Sequence, residues 1–380
     1  RMGDLTFTSH CQPVVSPALM RVVGVAARLV IHRGETLLDA QALFSQLTPR
    51  HCADIDRLAL ALHARRAARH GDSGWIFLPV QAQTIRQRLF TAAEAETELA
   101  ALGIAPARIV LEIDDSRLLD DAEIGAFVEE YRAAGFRIAL DDFGAGQSNF
   151  GRVLALHPDI VRLAPSLVQD AAASPRAARL FPHMVTLLRE SGSLVLVNGV
   201  DSAASAQLAI DADAELLQGD WFGAADAALP AAETVRARAE ALLCPQRQQA
   251  DRRELRLRSR FMAVWNAYRD GRALTEIVGE IPDAEITRLY VIDSNGFQQG
   301  DTVLTAHALQ GHVHPLSDAR GACWARRHYF RAALEQPGRV QITRPYLSLT
   351  EQRLCITFSC VVMRPGAGQQ VLCMDALLES

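Results

Sequence analysis

The segment Ile138-Ala139-Leu140-Asp141-Asp142-Phe143-Gly144-Ala145-Gly146 is the stretch on which the fold prediction depends. A short apolar run ends in two adjacent carboxylates, and a glycine-rich loop follows. Apolar runs of this kind, alternating with helical stretches, are typical of parallel strands buried on both faces. We therefore predict a buried strand that presents acidic side chains at its carboxyl end.

Similar polar strand ends recur along the first part of the chain at intervals of about 20–36 residues: Glu112, Asp141, Arg162, Asn198 and Gln218. A (β/α)8 barrel of ~250 residues has a unit of ~31 residues. The spacing therefore predicts an α/β fold with a TIM-like barrel over residues 4–228, in which these side chains gather at one end. Each one taken singly could equally be a cap or a loop hydrogen bond.

The composition limits the chemistry. The chain has 380 residues, 39 Lys+Arg against 44 Asp+Glu, and all 39 cations are arginine. Reactions that need a protein ammonium group are excluded. The net charge of -5 argues against a nucleic-acid-binding protein.

The seven cysteines are scattered and form no C-x-x-C pair. A disulfide framework or a zinc ribbon is therefore not expected, and we predict a reducing, cytoplasmic location. No apolar run approaches the ~20 residues of a membrane helix, so no membrane span is predicted.

The second part of the chain differs in character. Residues 229–260 are rich in helix formers and in charges of both signs, which predicts a solvated connector helix broken at Pro245. For residues 261–380 we predict an α+β domain with an antiparallel sheet. Strands of alternating apolar and polar residues occur there, together with the hairpin signal Ser294-Asn295-Gly296.

The first part resembles the EAL-domain family of bacterial phosphodiesterases and receptors for cyclic di-GMP. The resemblance covers nearly all of residues 8–224 and rests on these segments: Gln12-Pro13-Val14-Val15, Val110 to Asp115, Ile138 to Gly146, Pro158-Asp159-Ile160-Val161 and Gln218 to Gly223. It implies an EAL-type barrel, a divalent metal site of Mg2+ or Mn2+, and a homodimer.

The departures from the family pattern concern the same site. The resemblance places the metal-binding glutamate at Ala26, the asparagine at Pro79, the lysine at Arg162, a second glutamate at Asn198 and a phosphate-binding arginine at Val30. The remnant acids are Glu112, Asp141 and Asp142. Because lost carboxylates remove both ligands and charge, we predict no bound metal and a degenerate, inactive phosphodiesterase site.

The remnant acids then need another positive charge, since buried carboxylates without a cation are costly. We predict a pseudo-site in which Arg28 and Arg162 pair with them. Arg28 shares a strand face with Ala26. The alternative is that Arg28 faces solvent and the acids are hydrated.

Residues 261–380 resemble a PAS/Cache-like sensory domain, which implies a pocket for a small molecule. The candidate pocket residues are Trp324, Arg327, Tyr329, Tyr346 and Asp375. An arginine, aromatic rings and an acid suit a ligand with an amine and a carboxylate, or a carboxylate alone. Core or edge positions are the alternative. A metal pair at His312 and His314, with His307 nearby, is a further but less specific possibility.

The predicted function is that of a catalytically inactive signalling protein of the cyclic di-GMP network, with an unidentified protein partner and a ligand sensor. Cyclic di-GMP binding is expected to be weak or absent. Two alternatives remain open. One is a non-hydrolysing receptor in which Gln218 and Asp220 contact the nucleotide, and the other is a weak phosphodiesterase with a rearranged Mg2+ or Mn2+ site.

Overall fold

The computed structural model describes residues 4–69, 74–88, 90–114, 121–146, 150–225, 231–306, 319–347 and 354–378. The chain divides into two compact units, Arg1–Pro245 and Gln246–Ser380. No helix within these ranges is long and apolar enough to cross a membrane.

The first unit contains the predicted barrel. In the described part of this unit the strands are β1 Leu5–Ser16, β2 Arg21–Arg33, β3 Thr36–Leu38, β4 Trp75–Pro79, β5 Ile109–Asp114, β6 Arg137–Phe143, β7 Ile160–Leu163, β8 Leu194–Val197 and β9 Leu216–Gln218. Their order is β1-β9-β8-β7-β6-β5-β4-β2-β3, and the additional β1–β2 pairing closes eight of them into a barrel. The α/β barrel prediction is confirmed.

One strand of the barrel runs against the others. β1 is antiparallel to both β2 and β9, whereas β2 and β4–β9 pair in parallel. A repeated β-then-α pattern would make all eight strands parallel. Only four residues join β1 to β2, and a connection this short forms a hairpin, because a parallel crossover needs a dozen or more residues.

Helices follow most of the parallel strands: α1 Ala40–Gln46, α2 Pro49–Arg69, α3 Ala82–Gln87, α4 Ala92–Ala100, α5 Asp121–Ala133, α6 Phe150–Leu156, α7 Pro165–Ala173, α8 Pro175–Glu190 and α9 Ala203–Asp211. Local sequence sets several starts. Thr91 begins α4 with a capping box to Glu94, and Ser202 begins α9 with a hydroxyl that accepts from the backbone of Ser205.

The barrel interior is filled by one buried apolar residue from each of the eight strands: Val14, Ala26, Phe77, Val110, Ala139, Ile160, Leu196 and Leu216. We call this set the plug. Neighbouring residues on the strands point outward and pack against the helices. The plug fills the barrel interior, and the next inward-facing position on each strand lies at the end of the barrel.

The second unit is built on an antiparallel sheet, as predicted. The described strands are β10 Ile286–Asp293, β11 Gln298–Leu304, β12 Gln341–Ile342, β13 Tyr346–Leu347, β14 Leu354–Arg364 and β15 Gly368–Leu377, in the order β11-β10-β15-β14-β12, with β13 also paired to β14. The helices are α10 Ala232–Arg269, α11 Leu274–Ile277 and α12 His328–Glu335. The end of α10 packs on one sheet face and α12 on the other.

The predicted break at Pro245 is wrong, because α10 is continuous from Ala232 to Arg269. Buried residues hold the helix on both sides of the proline: Val235 and Ala239 before it, Leu257 and Phe261 after it. Packing of this kind outweighs the local preference of a single residue. The domain limits at 228 and 260 remain predictions.

Candidate functional site

A ring of side chains lies directly above the plug. Each member is two residues further along its strand than the plug residue, or two residues earlier on the reversed β1: Gln12, Arg28, Pro79, Glu112, Asp141, Arg162, Asn198 and Gln218. Strand alternation aims these positions to the same side as the plug. The ring contains every polar strand end that the sequence pattern singled out.

Arg162 is the centre of charge in this ring. Its Nη1 lies 3.1 Å from Glu112 Oε1 and 3.0 Å from Asp141 Oδ2. Arg162 is 5% exposed and Glu112 is 4% exposed. One guanidinium nitrogen therefore contacts two carboxylates, of which Glu112 is buried and Asp141 is partly exposed.

The pKa values reflect this shared charge. Burial raises the pKa of Glu112 to about 7, Arg162 opposes the shift, and Asp141 adds to it. Burial acts to lower the pKa of Arg162, but Glu112 and Asp141 more than offset this, and the pKa lies above its ordinary value. The guanidinium is therefore always charged, and it does not fully balance the carboxylates around it.

Asp142 is turned away from regular strand geometry. Its φ is +53°, and its backbone N–H donates to Asp141 Oδ1 at 2.7 Å. Burial, followed by the charge of Asp141, raises the pKa of Asp142. Gly144, at φ +96°, begins the loop, and a Cβ there would lie 2.3 Å from Leu167 Cδ1, so only glycine fits.

The altered family positions other than Arg162 add no charged group to the ring. Ala26 is part of the plug, and Pro79 lies beside Glu112 in the sheet register. The Asn198 side chain accepts from the backbone N–H of Gly199 at 2.9 Å. Val30 lies opposite Thr8 on the β1–β2 ribbon.

Arg28 differs from the pseudo-site prediction. It holds a ring position but is exposed, and in the described part of the chain it has no ion pair within 4 Å. Its charge still lowers the pKa values of Glu112 and Asp142. The reason is the register: the pairing of β2 with β4 ends at Ala26, so Arg28 lies on a ribbon that has left its parallel neighbour.

The ring does not fit a divalent cation. Among the described residues no group of three or more His, Cys, Asp or Glu side chains could hold a metal ion. The nitrogen of Arg162 lies at hydrogen-bond distance from both the Glu112 and the Asp141 carboxylate. The donors that remain are suited to N–H groups, whereas Mg2+ needs near-octahedral oxygens at about 2.1 Å.

A series of side-chain hydrogen bonds lies at the β9–β1 junction. Gln218 Nε2 donates to Gln12 Oε1 at 2.8 Å, and Gln12 Nε2 donates to Asp220 Oδ1 at 2.9 Å. Gln218 is fully buried, and its Oε1 has no hydrogen-bond partner among the described residues. Gln12 was not among the predicted site residues, although it stands in a family-like opening segment that could have identified it.

In the second unit, two of the predicted pocket residues meet in one network. Asp375, 5% exposed, accepts from Thr357 Oγ1 at 2.7 Å, and Tyr346 OH lies 2.7 Å from the same hydroxyl. Tyr290 OH donates to Asp375 at 3.4 Å, and Arg288 Nε lies 3.5 Å from its other oxygen. Sequence reasoning missed Thr357, Tyr290 and Arg288.

The other pocket candidates make different contacts. Trp324 Nε1 donates to Gln298 Oε1 at 3.0 Å, and the exposed guanidinium of Arg327 stacks over the Trp324 ring. Tyr329 packs edge-to-face against Tyr290. Tyr329 and Trp324 belong to an apolar cluster on the α12 face of the sheet. His307, His312 and His314 lie outside the described residues.

The comparison with known protein families identifies the first unit of the chain. A family model described as the EAL domain matches residues 4–225. The Escherichia coli "Probable cyclic di-GMP phosphodiesterase PdeA" is 28% identical over 121 residues, 32% of this chain and 17% of that protein. The E. coli "Blue light- and temperature-regulated antirepressor BluF" is 22% identical over 215 residues, 56% of this chain and 53% of that protein. The chain thus spans a sixth to a half of these relatives.

A solved structure matches the fold along the whole chain. The crystal structure of the Bacillus subtilis YkuI protein, with an EAL domain, in complex with substrate c-di-GMP and calcium, superposes with a TM-score of 0.78 at 17% identity. The match covers 100% of this chain and 97% of the other. At this level of identity the likeness concerns the fold.

Proposed function

The chain belongs to the EAL domain family, and on that premise we propose that it is a signalling protein of the cyclic di-GMP network whose barrel does not hydrolyse the nucleotide. The observation that carries the proposal is the shared hydrogen bonding of Arg162 to Glu112 and Asp141. Phosphodiester hydrolysis on metal ions requires carboxylates free to bind the cation and to activate water. Here the carboxylates of Glu112 and Asp141 are both hydrogen-bonded to Arg162.

The altered positions support the same conclusion. Ala26 offers a methyl group inside the plug, and Pro79 offers no side-chain oxygen. A compact ammonium at position 162 would be a point charge, whereas a planar guanidinium binds carboxylates through directed N–H groups. The ring therefore favours an internal salt bridge over metal chemistry.

We propose that the protein acts through contacts with another protein. BluF, one of the relatives, is named an antirepressor, so similarity to this family extends to a protein whose name describes regulation. A homodimer, a cytoplasmic location and a PAS/Cache-like second unit that senses a small ligand belong to the same proposal. The antiparallel sheet of the second unit, with a helix packed on each face, is the observation that supports the sensor.

A non-hydrolysing cyclic di-GMP receptor is the second candidate. The observation that favours it is the buried Gln218 Oε1, which lacks a partner among the described residues and stands beside the Gln12 and Asp220 amide–carboxylate chain. An orphaned acceptor at the mouth of a barrel suits a donor group of a ligand.

The test is a pair of measurements on the full chain. Turnover of cyclic di-GMP is followed with Mn2+ and with Mg2+, beside an active EAL phosphodiesterase as positive control. Titration calorimetry then measures nucleotide binding. We expect no turnover and weak or no binding. Binding without turnover would favour the receptor, and metal-dependent turnover would overturn the proposal in favour of a weak phosphodiesterase.

A further inference from the structure

The ion pairs of Arg162 with Glu112 and Asp141 place its guanidinium at a position that a cation could occupy. We propose that its guanidinium stabilises the folded barrel in the role of a divalent cation, and that truncating this side chain opens a weak Ca2+ site between Glu112 and Asp141. The inference deepens the proposed function and rests on it, since both assign the ring to structure instead of hydrolysis. It concerns stability and ion binding, which can be measured without any turnover.

The geometry supports a single shared cation position. Glu112 Oε1 and Asp141 Oδ2 both lie within 3.1 Å of the same nitrogen. Ca2+ binds oxygens at about 2.3–2.6 Å in flexible geometry, so each carboxylate would need to move by about 0.5 Å. Mg2+ requires shorter distances and stricter geometry, which makes Ca2+ the better probe.

Burial explains why the cation matters. Side-chain exposures in the two pairs are 6% for Arg162, 4% for Glu112 and 17% for Asp141. Removing one partner of a buried ion pair leaves the other charge uncompensated, which is strongly destabilising.

Arg28 cannot take over the role. It is exposed, and no carboxylate of the described residues lies within 4 Å of its guanidinium. R28A is therefore a matched control: it removes an arginine from the same ring without removing the bridging cation.

The experiment compares thermal unfolding of wild type, R162M and R28A in EDTA and in about 10 mM CaCl2, with NaCl to match ionic strength. We expect R162M to lower the melting temperature by about 10 °C in EDTA. Ca2+ should then raise it by about 3 °C or more, as for a site with a millimolar dissociation constant. Wild type and R28A should move by less than about 1 °C. The triple variant R162M/E112Q/D141N should lose the response to Ca2+.

Three outcomes would overturn the inference: a Ca2+ response in wild type, no response in R162M, or a response that survives in the triple variant. Where R162M does not fold in EDTA, the yield of folded protein after refolding with and without Ca2+ gives the same comparison. Hydrolysis of cyclic di-GMP by the wild type would refute the proposed function. The melting experiments measure no turnover, so a failure of the inference can be told apart from a failure of the proposed function.

Discussion

Two buried arginine–carboxylate clusters, one in each unit, use their charges differently. In the barrel, two carboxylates share one nitrogen of Arg162. In the second unit, one carboxylate, Asp375, is held by two hydroxyls with Arg288 at 3.5 Å. Among the described residues, the barrel cluster pairs one guanidinium with two carboxylates, whereas the Asp375 network pairs one guanidinium with one carboxylate and is closer to balance. Removing a carboxylate should therefore lower stability more at the Asp375 network than at the barrel cluster.

The largest effect is expected at the balanced cluster. D375A removes the acceptor for Thr357 and Tyr290 and leaves Arg288 with less compensation, so it should lower the free energy of unfolding by about 3–5 kcal/mol. E112A should cost less, because Arg162 keeps Asp141. Urea denaturation of both variants makes the comparison. Equal losses would show that the two clusters do not differ in balance.

The pH dependence of the barrel cluster is the next largest effect. The pKa of Glu112 is raised from 4.5 to about 7 by burial, so the folded state binds the proton more tightly than the unfolded state. The stability gained from protonated Glu112 is complete below pH 4.5 and is lost as the pH rises through 7. The loss amounts to about 3 kcal/mol.

E112Q removes this titration, and the fall in unfolding free energy between pH 4.5 and 8 should become smaller by up to that amount. The control is E94Q, at a half-buried carboxylate whose pKa is lowered by hydrogen bonds from Thr91 and by Arg57. This variant should leave the fall unchanged between pH 5 and 8. A wild-type slope retained in E112Q would place the titrating group elsewhere.

A smaller effect tests the hydroxyls of the balanced cluster. T357V keeps the shape of the side chain but loses the donor to Asp375 and the contact with Tyr346, so it should cost about 1–2 kcal/mol. T97V removes an exposed hydroxyl that donates to the backbone of Ala93 and should change stability very little. Equal effects in the two variants would show that the buried hydroxyl network adds nothing.

The smallest effect is expected for R28A, which should stay within about 0.5 kcal/mol of wild type in the same denaturation experiment. Arg28 is exposed and lacks an ion pair among the described residues. A loss of 2 kcal/mol or more would mean that both arginines hold the carboxylates, as the sequence predicted.

Strand spacing was enough to predict the barrel and its polar ring, because one polar residue per strand end is a periodic signal. It was not enough to separate Arg28 from Arg162. Alternation gives the face of a strand, but which residues still have a neighbouring strand depends on the register with β4, which ends at Ala26. The reversed β1 was missed because the repeating pattern describes parallel units only.

The Asp375 network was predicted in part for a related reason. Tyr346 and Asp375 were chosen as aromatic and acidic residues, but Arg288 and Thr357 occupy the same face of neighbouring strands and were overlooked. A charged residue in an apolar strand, such as Arg288, was the available signal. Cross-strand pairing brings Arg288, Thr357 and Asp375 together. The local sequence of an antiparallel strand does not show which residues it will pair with.

The antiparallel closure of the barrel also has a kinetic meaning. β1 pairs with β9, so Val14 lies opposite Gln218 and closure joins residues about two hundred positions apart. During synthesis the hairpin of β1 and β2 is complete early, but its free edge waits until β9 has emerged. Exposed strand edges of this kind promote aggregation, and distant contacts form slowly. The hydrogen bonds from Gln218 to Gln12 and from Gln12 to Asp220 thus stabilise the β1–β9 pairing, which can form only after the last strand of the barrel has been synthesised.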